Sequence, residues 1–218
     1  MRLLLLCVLA TPLVAAERGI NFYSIDAERE KGAKVAARLA AELSIVQDPD
    51  LLRALQTYAR SISSEYDWKI QVFHDGQTPV HKTQSDLILP FDDSRSEILS
   101  VAGGWLFVPL RTIAEATSER QFASAVAHAI THVTLRHGTR LSTRRQVVSL
   151  ANHTLERNDF TGLRNKVPDP AGPALQAAAS TYETDTNRYA KQLVEDTEGS
   201  RDVGAFEAIR KAAQRLRK

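Results

Sequence analysis

Residues 118–138 read SERQFASAVAHAITHVTLRHG, and this stretch decides the fold. Its apolar residues return every three or four positions, as they do on the buried face of an amphipathic helix. Ser118 and Gln121 have the spacing of a capping box, which predicts the start of the helix. Gly138 predicts its end. The stretch therefore predicts one long helix that packs against a core along one face.

Two histidines of this helix, His128 and His132, lie four positions apart. Side chains at that spacing project from one face, so both imidazoles can reach a single metal ion. The pattern is that of the metalloprotease zinc helix H-E-x-x-H, whose glutamate accepts a proton from the zinc-bound water. Ala129 stands at the glutamate position. His137 lies about 140° from His132 on a continuous helix and is predicted not to join the same ion.

A site of this kind needs a third protein ligand, and Glu183 is the best candidate. Cys7 is the only cysteine and falls in the N-terminal leader, so the ligands must be histidines and carboxylates. Glu183 opens a segment with helical spacing, after a connection over 168–179 that is rich in Pro and Ala. An ordinary glutamate in the first turn of a helix is the alternative interpretation.

Length and composition indicate a single globular domain. The chain has 218 residues, 43% of them hydrophobic, and a formal net charge of +2. This charge is too small to suggest a nucleic-acid partner. Amphipathic helices are predicted over 24–43 and 51–62, and alternating apolar residues predict strands over 68–72, 87–89 and 103–108. The sequence therefore predicts an α+β fold that is mainly helical with a small β-sheet.

The N-terminus has the pattern of a secretory signal peptide. Arg2 precedes an apolar run over 3–10, and the small residues Val14 and Ala16 have the spacing of a cleavage site. Residues 1–16 are therefore predicted to be a signal peptide and residues 17–218 the mature domain. The expected location is periplasmic or secreted, with peripheral attachment to a membrane left open.

Several of these segments together resemble the zinc metallopeptidases of family forty-eight, which includes the CAAX prenyl proteases. The likeness runs through nearly the whole mature chain, in 21–25, in the glycine-aromatic run 102–108, in the histidine helix 118–138, and in 183–188. The last segment matches the family pattern E-x-x-x-D-R, except that Asn187 replaces the aspartate. The resemblance implies a zincin-like domain of the gluzincin type that acts on polypeptides.

The resemblance also assigns roles to individual residues. It implies that one Zn²⁺ is held by His128, His132 and Glu183. It implies that Asn187 and Arg188 support the ligands. It also implies that a strand on the substrate side of the site contains Gly103, Gly104 and Trp105.

The departures from the family pattern fall on groups that perform the chemistry. General acid–base assistance of the kind that Ala129 cannot give is typically worth about 10² to 10⁴ in rate. The expected protein therefore binds zinc but is weak or inactive as an endopeptidase. Its groove could still hold unfolded polypeptides, with a strand of the client added to the edge of the sheet.

Two alternatives remain open at this point. The chain could be an active metalloendopeptidase in which another carboxylate, Asp185 or Glu97, replaces the missing base. It could also be a helical envelope domain without a metal, in which His128 and His132 are surface residues.

Overall fold

The computed structural model of the chain describes residues 20–74, 87–89, 98–157 and 171–217, and over these it confirms the mainly helical α+β fold with a small sheet. The predicted signal peptide lies outside the described residues, as does Glu97. The elements, in chain order, are α1 (Ile25–Glu42), α2 (Pro49–Ile62), β1 (Lys69–Phe73), β2 (Ile88–Leu89), β3 (Leu99–Val101), β4 (Trp105–Pro109), α3 (Leu110–Ala114), α4 (Glu119–Thr134), α5 (His137–Arg157), α6 (Ala171–Asp196) and α7 (Val203–Leu216). Within the described ranges, no helix is both long and apolar enough to cross a membrane.

The described strands form one sheet in the order β1-β4-β3-β2. β4 pairs with β1 in parallel and with β3 in antiparallel, so its backbone is engaged on both sides. The outer edge of β1 is covered near its end, where Ile45 forms a bridge with Phe73 and the Val46 amide donates to the Val72 carbonyl at 2.8 Å. Much of the hydrogen-bonding capacity of these two strands is therefore satisfied within the chain.

Helices cover both faces of the sheet, and the larger part of the core lies on one of them. Because side chains alternate along a strand, Leu106 and Val108 of β4 face the cluster formed with α2, α4, α6 and α7, whereas Phe107 faces α1. α4 runs through the larger cluster and buries most of its apolar residues there. The second half of this helix carries the two histidines.

The turn between β3 and β4 differs from the predicted strand over 103–108. Gly103 and Gly104 have φ angles of +83° and +92°, a left-handed conformation that glycine adopts at little cost, and β4 begins only at Trp105. α1 packs directly on this turn. A Cβ atom on Gly32 would lie 1.8 Å from the carbonyl oxygen of Ala102, so only a glycine fits there.

α4 starts where the sequence predicts but ends earlier. The Ser118 side chain accepts from the Gln121 amide at 3.2 Å, which confirms the N-terminal cap, although the Gln121 side chain accepts from the Thr117 amide and not from that of Ser118. The helix stops at Thr134, and Gly138 lies inside α5. The prediction that Gly138 ends the histidine helix is therefore wrong.

The early stop has a physical cause at Arg136. This residue has φ +58°, a conformation that ordinary residues rarely adopt. Its guanidinium donates at 2.6 Å to the buried carboxylate of Glu28 and also at 2.6 Å to the Tyr23 carbonyl. These contacts with a distant segment offset the local strain and turn the chain between α4 and α5.

α6 is longer than the sequence indicates. It begins at Ala171, so most of the predicted connection over 168–179 is helical, and Pro173 falls in the first turn, where a proline is tolerated. Glu183 is consequently in the middle of a helix. The interpretation of Glu183 as a first-turn glutamate favoured by the helix dipole is wrong.

Candidate metal centre

The packing of α4 against α6 brings His128, His132 and Glu183 together, and the three residues form a group that could hold a metal ion. The Nε2 atoms of the two histidines lie 3.1 Å apart. Glu183 Oε2 lies 3.3 Å from His128 Nε2, and Glu183 Oε1 lies 3.3 Å from His132 Nε2. The structure thus joins the three predicted ligands, although 51 residues separate Glu183 from His132 in the chain.

The spacing of the three ligand residues fits a small tetrahedral ion, with a different Glu183 oxygen nearest each histidine. Zinc bonds of about 2.0–2.1 Å in a tetrahedron separate neighbouring ligand atoms by about 3.3 Å. The observed separations of 3.1–3.3 Å lie close to that value. Glu183 Oε1 is also buried without a hydrogen-bond partner among the described residues, which leaves a buried acceptor beside both rings. The donor set therefore fits a resident metal ion.

The charge states of the ligands suit a cation. Burial lowers the pKa of His132, against the opposing effect of Glu183, so this ring is neutral at pH 7. Burial by itself would raise the pKa of Glu183, but the polar contacts with His128 and His132 outweigh it and hold the pKa at about 2. Metal ligands must be deprotonated, and the pKa shifts of His132 and Glu183 favour that state.

Two further residues, His137 and Thr186, contact the His132 ring at Nδ1, on the side away from Glu183. His137 Nδ1 lies 3.2 Å from His132 Nδ1, and Thr186 Oγ1 lies 3.2 Å from His137 Nδ1. The His137 ring is stacked on Tyr182, with centroids 4.5 Å apart and an angle of 9° between the planes. Burial, followed by the neighbouring His132 and Arg140, lowers the pKa of His137 to about 2 and keeps the ring neutral.

His137 is not a member of the three-residue group, as the sequence predicted, but the predicted reason is wrong. It does not point away along a continuous helix, because the chain turns at Arg136 and returns the ring to His132. Sequence reasoning also missed Thr186. Its position three residues after Glu183, on the same side of a helix, is the signal that could have identified it.

The residues predicted to support the ligands lie differently. Asn187 is exposed. Arg188 pairs with Asp185 at 3.2 Å and lies over the Tyr189 ring. The contact with the histidines is made by Thr186, so a supporting role for Asn187 and Arg188 stays a prediction.

The position of the missing base is enclosed. Ala129 is 1% exposed and belongs to the larger apolar cluster, so its methyl group packs among core side chains. Asp185, one of the two carboxylates considered as a substitute, is engaged by Arg188. Within the described part of the chain, Glu183 is the carboxylate that groups with the two histidines.

The predicted substrate-side strand begins two residues later than the sequence indicates. Gly103 and Gly104 form the turn before β4, and Trp105 belongs to a strand that is paired on both sides. An added peptide strand needs an edge with free backbone groups, and β4 does not offer one. Gly103 packs on Arg29 of α1 and Gly104 lies against Tyr66 and Asp67, so a substrate-side role for these residues and Trp105 stays a prediction.

No protein-family model matches the chain, and no curated protein matches it significantly. The likeness to family forty-eight therefore rests on the motifs of the sequence.

Proposed function

We propose that the chain is a zinc-binding, metallopeptidase-like protein of the periplasm or the secreted fraction that binds unfolded polypeptides and hydrolyses them weakly or not at all. The observation that carries the proposal is the pairing of a complete His-His-Glu group with an alanine where the catalytic base would stand. The ligands can hold an ion, but Ala129 cannot accept or return a proton.

The roles of the individual residues follow from their positions. His128, His132 and Glu183 would hold the metal from two helices packed side by side. A bound zinc ion supplies Lewis acidity and acidifies water. Ala129 adds no polar group and keeps this part of α4 apolar, so proton transfer to a leaving amine has no donor at the expected position.

The accessibility of the group supports a polypeptide as the ligand. The side chain of His132 is fully buried, whereas those of His128 and Glu183 are 11% and 24% exposed. Among the described residues, His128 and Glu183 thus keep a partly exposed surface, from which an extended chain would reach the metal. Binding would involve a peptide carbonyl near the metal and not a strand added to β4.

The first experiment measures hydrolysis of unfolded casein by the zinc-loaded mature chain beside His128→Ala and Ala129→Glu. We expect no turnover above background in the natural sequence and in His128→Ala, and measurable turnover in Ala129→Glu. Turnover in the natural sequence that is lost in His128→Ala would overturn the inactive state and establish a metallopeptidase with an unconventional base.

A second experiment measures client binding directly. Fluorescence anisotropy of labelled unfolded casein, recorded with zinc-loaded and chelator-treated protein, should show binding that weakens when zinc is removed. His132→Ala should resemble the chelated protein, whereas replacement of the exposed His74 should have no effect. Equal binding in all four samples would separate client binding from the metal and contradict this part of the proposal.

A further inference from the structure

His137 is the buried polar group nearest the proposed site that the proposed function does not use. It is 1% exposed at the start of α5, and its ring lies between the Tyr182 ring and the edge of His132. The two Nδ1 atoms are 3.2 Å apart. A contact of this length between two ring nitrogens is a hydrogen bond only if one nitrogen carries the proton and the other accepts it.

The hydroxyl of Thr186 helps to decide which nitrogen is protonated. Thr186 Oγ1 donates to the Tyr182 carbonyl at 2.7 Å, so its single proton is already used. It lies 3.5 Å from His132 Nδ1, at the limit of hydrogen-bond length. It also lies 3.2 Å from His137 Nδ1, and an oxygen whose proton is used can only accept there, so without a metal ion this contact favours a proton on His137 Nδ1.

A metal ion on the other side of the His132 ring requires a proton on His132 Nδ1 and makes His137 Nδ1 its acceptor. Nε2 faces His128 Nε2 at 3.1 Å and Glu183 Oε1 at 3.3 Å. It can bind a metal ion there only when it carries no proton, and in a neutral imidazole the proton must then be on Nδ1. The hydrogen bond made by the remote nitrogen of a ligand histidine commonly fixes this choice, usually with a carboxylate or carbonyl as the acceptor.

We propose that His137 is a positioning residue of the metal centre, which accepts the Nδ1 proton of His132 and so holds the His132 Nε2 lone pair toward Glu183 and His128. The inference rests on the proposed metal site. An imidazole takes the place that a carboxylate or carbonyl usually fills, and it supplies an acceptor without adding a negative charge. Stacking on Tyr182 fixes the plane of the acceptor ring.

Two substitutions separate the acceptor from the ring. His137→Phe keeps an aromatic ring over Tyr182 and removes the acceptor, whereas His137→Asn keeps an acceptor atom near the Nδ1 position and removes the ring. Loss of such a partner commonly weakens metal binding about 10 to 100-fold. We expect this loss of zinc affinity in His137→Phe, and we expect His137→Asn to stay within about threefold of the natural protein. Chelator competition measures both, with the exposed His74→Phe as the control.

Nitrogen NMR of the imidazole rings provides a readout that needs no variant. In the zinc-loaded natural protein we expect a proton on His132 Nδ1 and none on His137 Nδ1. A proton on His137 Nδ1, or an unchanged zinc affinity in a folded His137→Phe variant, would overturn the positioning role alone. If the natural protein binds zinc no better than His128→Ala does, the proposed metal site fails and the role of His137 fails with it.

Discussion

The helix pair α4–α6 and the sheet beside it contrast in what they offer to the proposed function. Between the helices, the nearest atoms of the three ligand residues lie 3.1–3.3 Å apart, and His137 and Thr186 lie against the far side of His132. At the sheet, β4 is paired on both sides and offers no free edge to a bound chain. The residues that could hold a metal ion are therefore assembled, whereas the central strand of the sheet cannot pair with a peptide.

Removing a metal ligand should produce the largest effect, because it removes the proposed metal site from the helix pair. We expect His132→Ala to abolish zinc binding, because the two remaining ligands cannot enclose the ion. Equilibrium dialysis with zinc measures this directly. Glu183→Gln should also weaken binding strongly, since the amide has nearly the same shape but no charge. Full binding in both variants would remove the site from α4 and α6.

A carboxylate placed on α4 at position 129, where the family pattern has its base, should supply the missing base. We expect Ala129→Glu to raise casein hydrolysis at least about 10²-fold, the lower end of the usual contribution of general acid–base assistance. The position is 1% exposed, so the variant should also unfold at a lower temperature. Ala129→Gln is the matched control. It should be destabilised as well but should not gain activity, and a gain there would show that the carboxylate is not the reason.

Bound zinc should stabilise the folded chain through its ligands on α4 and α6. At a free zinc concentration about 100 times Kd, binding contributes about 3 kcal/mol to the free energy of unfolding. For a chain of this length, that corresponds to a rise in Tm of about 6–12 °C. Differential scanning calorimetry with zinc and with a chelator tests the effect, and His128→Ala should show no difference between the two.

Metal-free protein should lose stability in acid because neutral rings are buried at the site. The pKa of His137 is about 2 in the folded chain against 6.5 when unfolded, and burial also lowers that of His132. The unfolded state therefore takes up protons first, and the free energy of unfolding falls as pH drops below 6.5, by up to about 1.4 kcal/mol per pH unit for each ring. The lowered pKa of Glu183 adds a further loss between pH 4.5 and about 2. Urea unfolding at pH 7 and pH 5 measures the slope, which should be shallower in His137→Phe.

The smallest expected effect distinguishes two neighbours on α6. Asn187→Ala should change the zinc affinity less than threefold, because the side chain is exposed. Thr186→Val should weaken binding more, since its hydroxyl contacts both His132 and His137. Chelator competition on both variants decides the order. The reverse order would return the supporting role to Asn187, as the family motif implies.

The parts of the site that follow local geometry could be predicted from the sequence. His128 and His132 share a face because four residues make about one helical turn, and the Ser118 cap depends on atoms only three residues away. Glu183 was chosen as a third ligand from a later helical segment and was then supported by its likeness to a motif, and the fold class followed from the period of the apolar residues. None of these inferences needed contacts between distant segments.

The turn at Arg136 could not be predicted in this way. Its conformation depends on Glu28, which is 108 residues away, and on the Tyr23 carbonyl. Gly138 misled the prediction because a glycine after an apolar run usually ends a helix, whereas the long-range ion pair placed the break earlier. The length of α6 was missed for a related reason, since Pro173 is compatible with a first helical turn as well as with a loop.

The Arg136 turn also makes the site mechanically dependent on the N-terminal segment. Asn21, Phe22 and Tyr23 bond to the first turns of α5, and Arg136 bonds to Tyr23 and Glu28. Any partner that pulled residues 21–23 away from α5 would release one restraint on the turn and hence on the His137 ring. A contact made at the outer surface of the domain would then affect the Nδ1 side of His132 through Arg136 and His137. The partner would not touch the ligand residues themselves.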